Sequence, residues 1–386
     1  MRRFFGLLIL VTVPAIGLPA GTARADSFRD DQWHLKSLKV AQAQSLSLGS
    51  GITVAVIDSG TYPHPDIQKN LLSGISLVSG ESGKGQNDRV GHGTEMAALI
   101  AAHGRGSRGV LGISPAAKIL PVKITNTTAA PASEMAKGID WAVSEKADVI
   151  NISAAIGPSF EVQDAVRKAI AADVLVVASV GNRSSSAVVG YPAAMDGVLA
   201  VGANGRNGKY SPSSFRTPKV QICAPGVDIT TAEPENRYAD VGGTSPATAI
   251  AAGAAALVRA KFPNLTTKEV INRLTSTADD IGPAGRDDEC GFGRLNIVKA
   301  LTANVPPLEG GAASGPSASD GPPVGDGVSS APVARRPEFA SPAPTAAASE
   351  PAGNSSVLLF GGLAGVVAAG AVVLALLLRR RGRGAR

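Results

Sequence analysis

A carboxylate, an imidazole and a hydroxyl, each set at a glycine-rich junction, stand out in this 386-residue sequence as groups that together could perform acyl transfer. Asp58 closes the apolar run Val54-Ala55-Val56-Ile57 and is followed by Ser59-Gly60. His92 lies between Gly91 and Gly93, ahead of Thr94-Glu95-Met96-Ala97, where a helical period opens. Ser245 follows Gly242-Gly243-Thr244 and precedes Pro246-Ala247 at the head of an Ala-rich run. A serine hydroxyl is a weak nucleophile until a neighbouring base takes its proton, and that base needs a carboxylate to hold its tautomer. An imidazole, with an ordinary pKa of about 6.5, can take and return a proton at neutral pH. Histidine occurs only four times, at 34, 64, 92 and 103. His34 in the N-terminal segment, His64 between Pro63 and Pro65, and His103 at a helix end read as structural, which leaves His92 as the base. Taken singly, each motif also has an ordinary reading: Asp58 as a turn residue, Ser245 as a helix N-cap with Pro246 at the first helical position. The two readings of Ser245 are compatible, because a helix N-terminus also directs N–H groups at an oxyanion.

The elements that must position these residues follow from hydrophobic period. Strands are predicted at Ile52–Ile57, Lys118–Ile124, Asp148–Ser153, Val174–Ala178, Val198–Gly202 and Val220–Cys223. Helices are predicted at Thr94–His103, Ser133–Glu145, Phe160–Ala172, Ser245–Lys261 and Thr266–Thr277. Apolar strands alternating with helices indicate an α/β fold with a mostly parallel sheet covered on both faces, and such sheets collect chemistry at the carboxyl ends of their strands. No internal repeat and no division into two cores is visible between 26 and 305.

Asp, His and Ser in that chain order, with the segments between them, resemble the subtilisin-like serine proteases; the G-x-S-x-G elbow of α/β-hydrolases is missing around Ser245. The resemblance runs from about Gly51 to Leu301. Gly138-Ile139-Asp140-Trp141-Ala142 and Asp148-Val149-Ile150-Asn151-Ile152-Ser153 are similar to the family's helix and strand preceding the substrate cleft. Val176-Val177-Ala178-Ser179-Val180-Gly181-Asn182 is similar to the strand that ends in its oxyanion asparagine. Tyr191-Pro192-Ala193, Val198-Leu199-Ala200-Val201-Gly202, Ala224-Pro225-Gly226 and Gly253-Ala254-Ala255-Ala256-Leu257 match in order and approximate spacing. The resemblance implies that Asp58 orients His92, that His92 is base and then acid, and that Ser245 is the nucleophile. The Asn182 amide and the Ser245 N–H would hold the oxyanion. It further implies substrate contacts from Ser153, Ala154, Ala155 and Gly181, with Ser153 and Ala154 pairing to the substrate backbone as an added strand. Pro246, Ala249 and the Ala154-Ala155 pair depart from the common pattern; proline at 246 removes only its own N–H. No cofactor or metal is expected: Asn87 and Asp88 lie in a polar stretch that makes no clear calcium loop.

Both ends carry topological signals. Residues 1–25 have the charged start, apolar middle and Ala23-Arg24-Ala25 cleavage pattern of a signal peptide. Residues 306–356 are rich in Pro, Ala, Ser and Gly and read as a disordered linker after a peptidase domain at 26–305. Residues 357–378 are apolar or small throughout, long enough for a transmembrane helix, and the Arg-rich tail 379–386 predicts a cytoplasmic C-terminus. The domain is therefore expected outside the cell membrane, where Cys223 and Cys290, the only cysteines, are candidates for a disulfide. The positive excess behind the net charge of +6 sits at the two ends of the chain: between 26 and 305 basic and acidic residues number 27 and 26, which argues against a nucleic-acid partner. Only about 26 residues separate Ala25 from the first core strand, too few for a folding-assisting prodomain. That architecture resembles the mycosins, membrane-anchored proteases associated with type VII secretion. It implies a protein or peptide substrate processed in a limited way beside the membrane, with type VII components as partners. The alternative from another class is a scaffold partner of a membrane secretion complex with dispensable catalysis.

Overall fold

A computed structural model describes residues 28–308, apart from 107 and 185–188. Three short helices come first: α1 (Phe28–Asp31), α2 (Trp33–Ser37) and α3 (Val40–Gln44). The core then alternates β1 (Thr53–Asp58), β2 (Ile75–Ser76), α4 (His92–Ala101), β3 (Lys118–Lys123), α5 (Ala132–Ser144), β4 (Val149–Ile152), α6 (Phe160–Ala171), β5 (Leu175–Ser179), β6 (Leu199–Asn204) and β7 (Ile222–Pro225). A hairpin of β8 (Ile229–Glu233) and β9 (Arg237–Val241) leads into the long α7 (Thr244–Lys261), followed by α8 (Thr267–Ser276) and α9 (Ile297–Thr302).

The seven core strands form a parallel sheet in the order β2-β3-β1-β4-β5-β6-β7. Side chains alternate across it as a two-residue period demands. Val54 and Val56 of β1 join the core under α4, α7, α8 and α9, whereas Ala55 and Ile57 join the opposite core with α5 and α6. Because both faces are covered, the strands are buried almost without interruption, which is why they read as continuous apolar runs. The chain leaves β1 toward β3 on one side and reaches β4 on the other, so a crevice opens outside the carboxyl ends of the central strands.

The eleven expected elements are present, with ends displaced by one to a few residues. Two displacements matter. The helix expected from Thr94 begins at His92, because groups outside the helix satisfy its first N–H groups. Ser245 is not the N-cap expected for the Ala-rich helix; Gly243 is, so Ser245 and Pro246 both lie in the first turn, where an N–H has no intrahelical partner anyway. The three N-terminal helices, the β8–β9 hairpin, the two-residue β2 and α9 were not anticipated. The N-terminal segment is fastened to the domain: Gln32 exchanges hydrogen bonds with Leu111 and donates to Thr230 O, Trp33 donates to Asp228 O, and Phe28 stacks on Tyr238. Cys223 and Cys290 form a disulfide across a sequence separation of 67. The signal peptide, most of the linker, the transmembrane helix and the Arg-rich tail lie outside the described residues. Among those described, no helix is long and apolar enough to cross a membrane.

Candidate active site

Three carboxyl ends of the sheet and two helix N-termini converge on one cleft of about 720 Å3. β1 delivers Asp58, β4 runs into Ser153, β5 ends at Ser179 ahead of Gly181 and Asn182, α4 begins with His92, and α7 carries Ser245 in its first turn. The cleft is lined by Asp58, His92, Ser153, Ala154, Ala155, Gly181, Asn182 and Ser245, so all the residues proposed from sequence for chemistry and substrate contact meet there. The facing wall, Thr125 and Thr127–Ala130 beyond β3, escaped the sequence reading. Its only signal was its place after a strand's carboxyl end.

His92 Nδ1 lies 2.9 Å from each oxygen of Asp58. The Asp58 carboxylate, 7% exposed, accepts from Nδ1–H, so in the neutral form of the ring the lone pair is on Nε2. The pair approaches this closely because position 93 has no side chain: a Cβ there would stand 2.0 Å from Gly60 O and 3.1 Å from Asp58 Cβ. Burial works against a protonated ring at 92. The Asp58 charge and hydrogen bond outweigh it, aided by the charges of Glu95 and Asp88, and raise the His92 pKa to about 9. Glu95, one turn along α4, is pushed up to about 7, chiefly by burial, with His92 opposing and Glu233, Asp58 and Asp88 adding.

Ser245 Oγ donates to Ser153 O at 3.0 Å, and Ser153 Oγ donates to Ser245 O at 3.1 Å, so the serine hydroxyl rests on the cleft wall. Asn182 Oδ1 accepts from Thr244 N at 3.0 Å, which fixes the side-chain amide beside the first turn of α7 with Nδ2 as its donating end. Ala155 underlies the floor between two glycines: a Cβ at Gly190 would stand 2.5 Å from Ala155 Cβ, and one at Gly181 would stand 3.8 Å away. Ile156 and Tyr191 close this end by a reciprocal pair of backbone hydrogen bonds.

A doubly covered parallel sheet with an aspartate-bound imidazole, a helix-borne serine and an asparagine amide in one cleft defines a subtilisin-like serine endopeptidase. The chain belongs to the subtilase family, which it matches over residues 49–293. Among curated relatives it is 39% identical over 255 residues to Subtilisin DY of Bacillus licheniformis, covering 64% of this chain and 90% of that protein. It is 36% identical over 288 residues to the minor extracellular protease Epr of Bacillus subtilis, covering 74% of this chain but only 44% of Epr. Among solved structures it is similar to MycP1 from the ESX-1 type VII secretion system, with a TM-score of 0.65, 29% identity, and coverage of 73% of this chain and 88% of that one. MycP1 from Mycobacterium smegmatis gives 0.63, 28%, 74% and 87%. The likeness to mycosins read from the sequence is thus found in the fold as well.

Proposed function

We propose that the protein is a membrane-anchored, extracytoplasmic serine endopeptidase that cleaves secreted proteins at limited sites through an Asp58–His92–Ser245 triad. The observation that carries the chemistry is the imidazole held 2.9 Å from both Asp58 oxygens in the cleft that also holds Ser245 and Asn182. With Nδ1–H committed to Asp58, Nε2 takes the Ser245 proton as Oγ attacks the peptide carbonyl. Oγ must first leave Ser153 O, its acceptor at rest. The oxyanion of the tetrahedral intermediate accepts from Asn182 Nδ2 and the Ser245 N–H. His92 then protonates the leaving amine, and water, deprotonated by the same ring, hydrolyses the acyl-enzyme. The walls at Thr125–Ala130 and Ser153–Gly157 leave room for an extended substrate strand between them.

Support for anchoring comes from the signal-like residues 1–25, the apolar run 357–378 and the Arg-rich tail. Support for a type VII setting comes from the likeness to MycP1, which belongs to the ESX-1 type VII secretion system. One observation favours the second reading, a scaffold whose catalysis is dispensable: the Ser245 hydroxyl is bonded to a backbone carbonyl at rest. Labelling with a fluorophosphonate separates the two. The full chain in membranes is expected to label, and Ser245→Ala and His92→Ala are expected not to; an unlabelled but folded full chain would select the scaffold.

A further inference from the structure

Asp88 is 5% exposed and is none of the reacting groups, yet its carboxylate accepts five hydrogen bonds beside the cleft. Oδ1 accepts from Ser59 Oγ at 2.9 Å, Val90 N at 3.0 Å and Gly91 N at 2.8 Å; Oδ2 accepts from Thr94 N at 2.9 Å and Thr94 Oγ1 at 2.6 Å. Two of the donors, Gly91 N and Thr94 N, flank the base on either side in sequence. A third, Ser59, follows the acid. Ser59 completes the link: its backbone N–H donates to Asp58 Oδ1 at 2.8 Å and its hydroxyl accepts from Gly93 N at 3.0 Å. The turn that ends β1 and the turn that starts α4 are therefore sewn together through one buried charge and one hydroxyl.

We propose that Asp88 is a positioning residue, which through Ser59 and the first turn of α4 holds the Asp58 carboxylate and the His92 ring in register. This rests on the serine-protease reading above. The physical reason is economy of movement: β1 and α4 are 34 residues apart in sequence between Asp58 and His92, and nothing covalent fixes their separation. A shift of about 1 Å between reacting groups can lower a rate by on the order of 100-fold. A neutral or water-bridged cap would satisfy α4 equally well without tying it to β1, so a cap alone would leave the triad's rate untouched. The charged groups facing the ring are Asp58 from β1, Asp88 from the preceding loop and Glu95 from the same helix, with Glu233 of β8 facing Glu95.

The test uses the full chain in membranes and the rate of fluorophosphonate labelling, which reads Ser245 nucleophilicity without a known substrate. Asp88→Asn places an amide donor against existing donors, and is expected to slow labelling by about 10- to 100-fold, with Ser59→Ala causing roughly a 10-fold loss. The acid limb of the pH–rate profile should move to lower pH in Asp88→Asn, since a negative charge near the imidazolium is removed. Because the effect runs through Asp58 and His92, adding Asp88→Asn to Asp58→Ala should cost less than about 3-fold more. Rates within about 3-fold of the unaltered chain in folded variants, or losses that multiply with Asp58→Ala, would overturn the proposal. Should Asp88→Asn fail to fold, Ser59→Ala, which leaves the charge in place, decides it alone. An unaltered chain that does not label removes the serine-protease reading itself, and this proposal with it.

Discussion

His92 holds its proton against burial, and the charges that keep it there set the pH at which a base becomes available. A general base acts only when neutral, so the labelling rate and kcat/KM should climb as pH rises toward the ring's value of about 9. An acid limb at the ordinary imidazole position would show that Asp58 does not grip the ring in solution. Stability runs the other way. The folded-state pKa lies above the unfolded value, so the ring's contribution is complete below about 6.5 and is lost as pH rises through about 9. Glu95 behaves alike: folded, it keeps its proton up to about 7, whereas the unfolded chain releases it near the ordinary 4.5, so stability falls across that window, chiefly because the folded carboxylate would be buried and would face Glu233. Glu95→Gln is therefore expected to shift the acid limb to lower pH and to stabilise the chain at pH 8 by about 1–2 kcal/mol after allowing for screening. Equal thermal midpoints for the two forms at pH 8 would contradict this. Asn182→Ala should lower turnover by about 10²–10³, the loss measured for such a donor in subtilisin itself, with little change in KM. A rise in KM alone would mean that the amide binds ground state and transition state equally.

At the scale of elements, the long buried strands and helices were legible because burial on both sides leaves an unmistakable apolar run or a sustained helical period. Asp58 and His92 were legible with them, since each sits where a run meets glycine. Asp88 was not, although the spacing Asp-x-x-Gly-His-Gly-Thr holds it; its partners come from β1 and from a turn, and no period records a carboxylate folded back onto both. The β8–β9 hairpin escaped because Glu235 and Asn236 adopt positive φ at its tip where Asn-Gly would have announced a turn, and because β9 is half exposed. The N-terminal helices of four or five residues are too short to display a period. They still carry a testable consequence. His34 of α2 is fully buried, neither ring nitrogen has a partner, and burial lowers its pKa to about 3. A depressed histidine stabilises only while neutral, so stability should fall as pH drops from about 6.5 toward 3. Hydrogen exchange should show residues 28–44 loosening at pH 5 before the sheet does, and His34→Leu should abolish the difference between pH 7 and pH 5. Loosening that is identical in His34→Leu would assign it elsewhere.

At the scale of the molecule, the disulfide joins two requirements, stability and location. Cys223 ends the sheet at β7, and Cys290 lies in the loop before α9, with β8, β9, α7 and Ser245 between them. A bridge over that length stabilises by about 4 kcal/mol if its main effect is on the entropy of the unfolded chain. The proposed triad is expected not to depend on it: Asp58 and His92 are set by β1 and α4, and Ser245 by packing of α7 against both. Backbone bonds from Cys223 N to Gly293 O at 2.9 Å and from Leu295 N to Cys223 O at 2.8 Å hold the two segments together locally. The chain with both cysteines changed to alanine should therefore unfold at markedly lower urea concentration, yet label with fluorophosphonate at the unaltered rate well below that midpoint. A slower rate there would mean that the bridge shapes the site; an unchanged urea midpoint would mean that it contributes nothing to stability. The same bridge ties the fold to compartment, since an oxidising environment is where such a bond persists. On the proposed extracytoplasmic location, chain taken from the outer face of the membrane should resist alkylation at both positions, whereas chain kept in the cytosol by deletion of residues 1–25 should accept two alkyl groups and show the lower urea midpoint of the alanine form; two alkyl groups on the membrane form would count against that location.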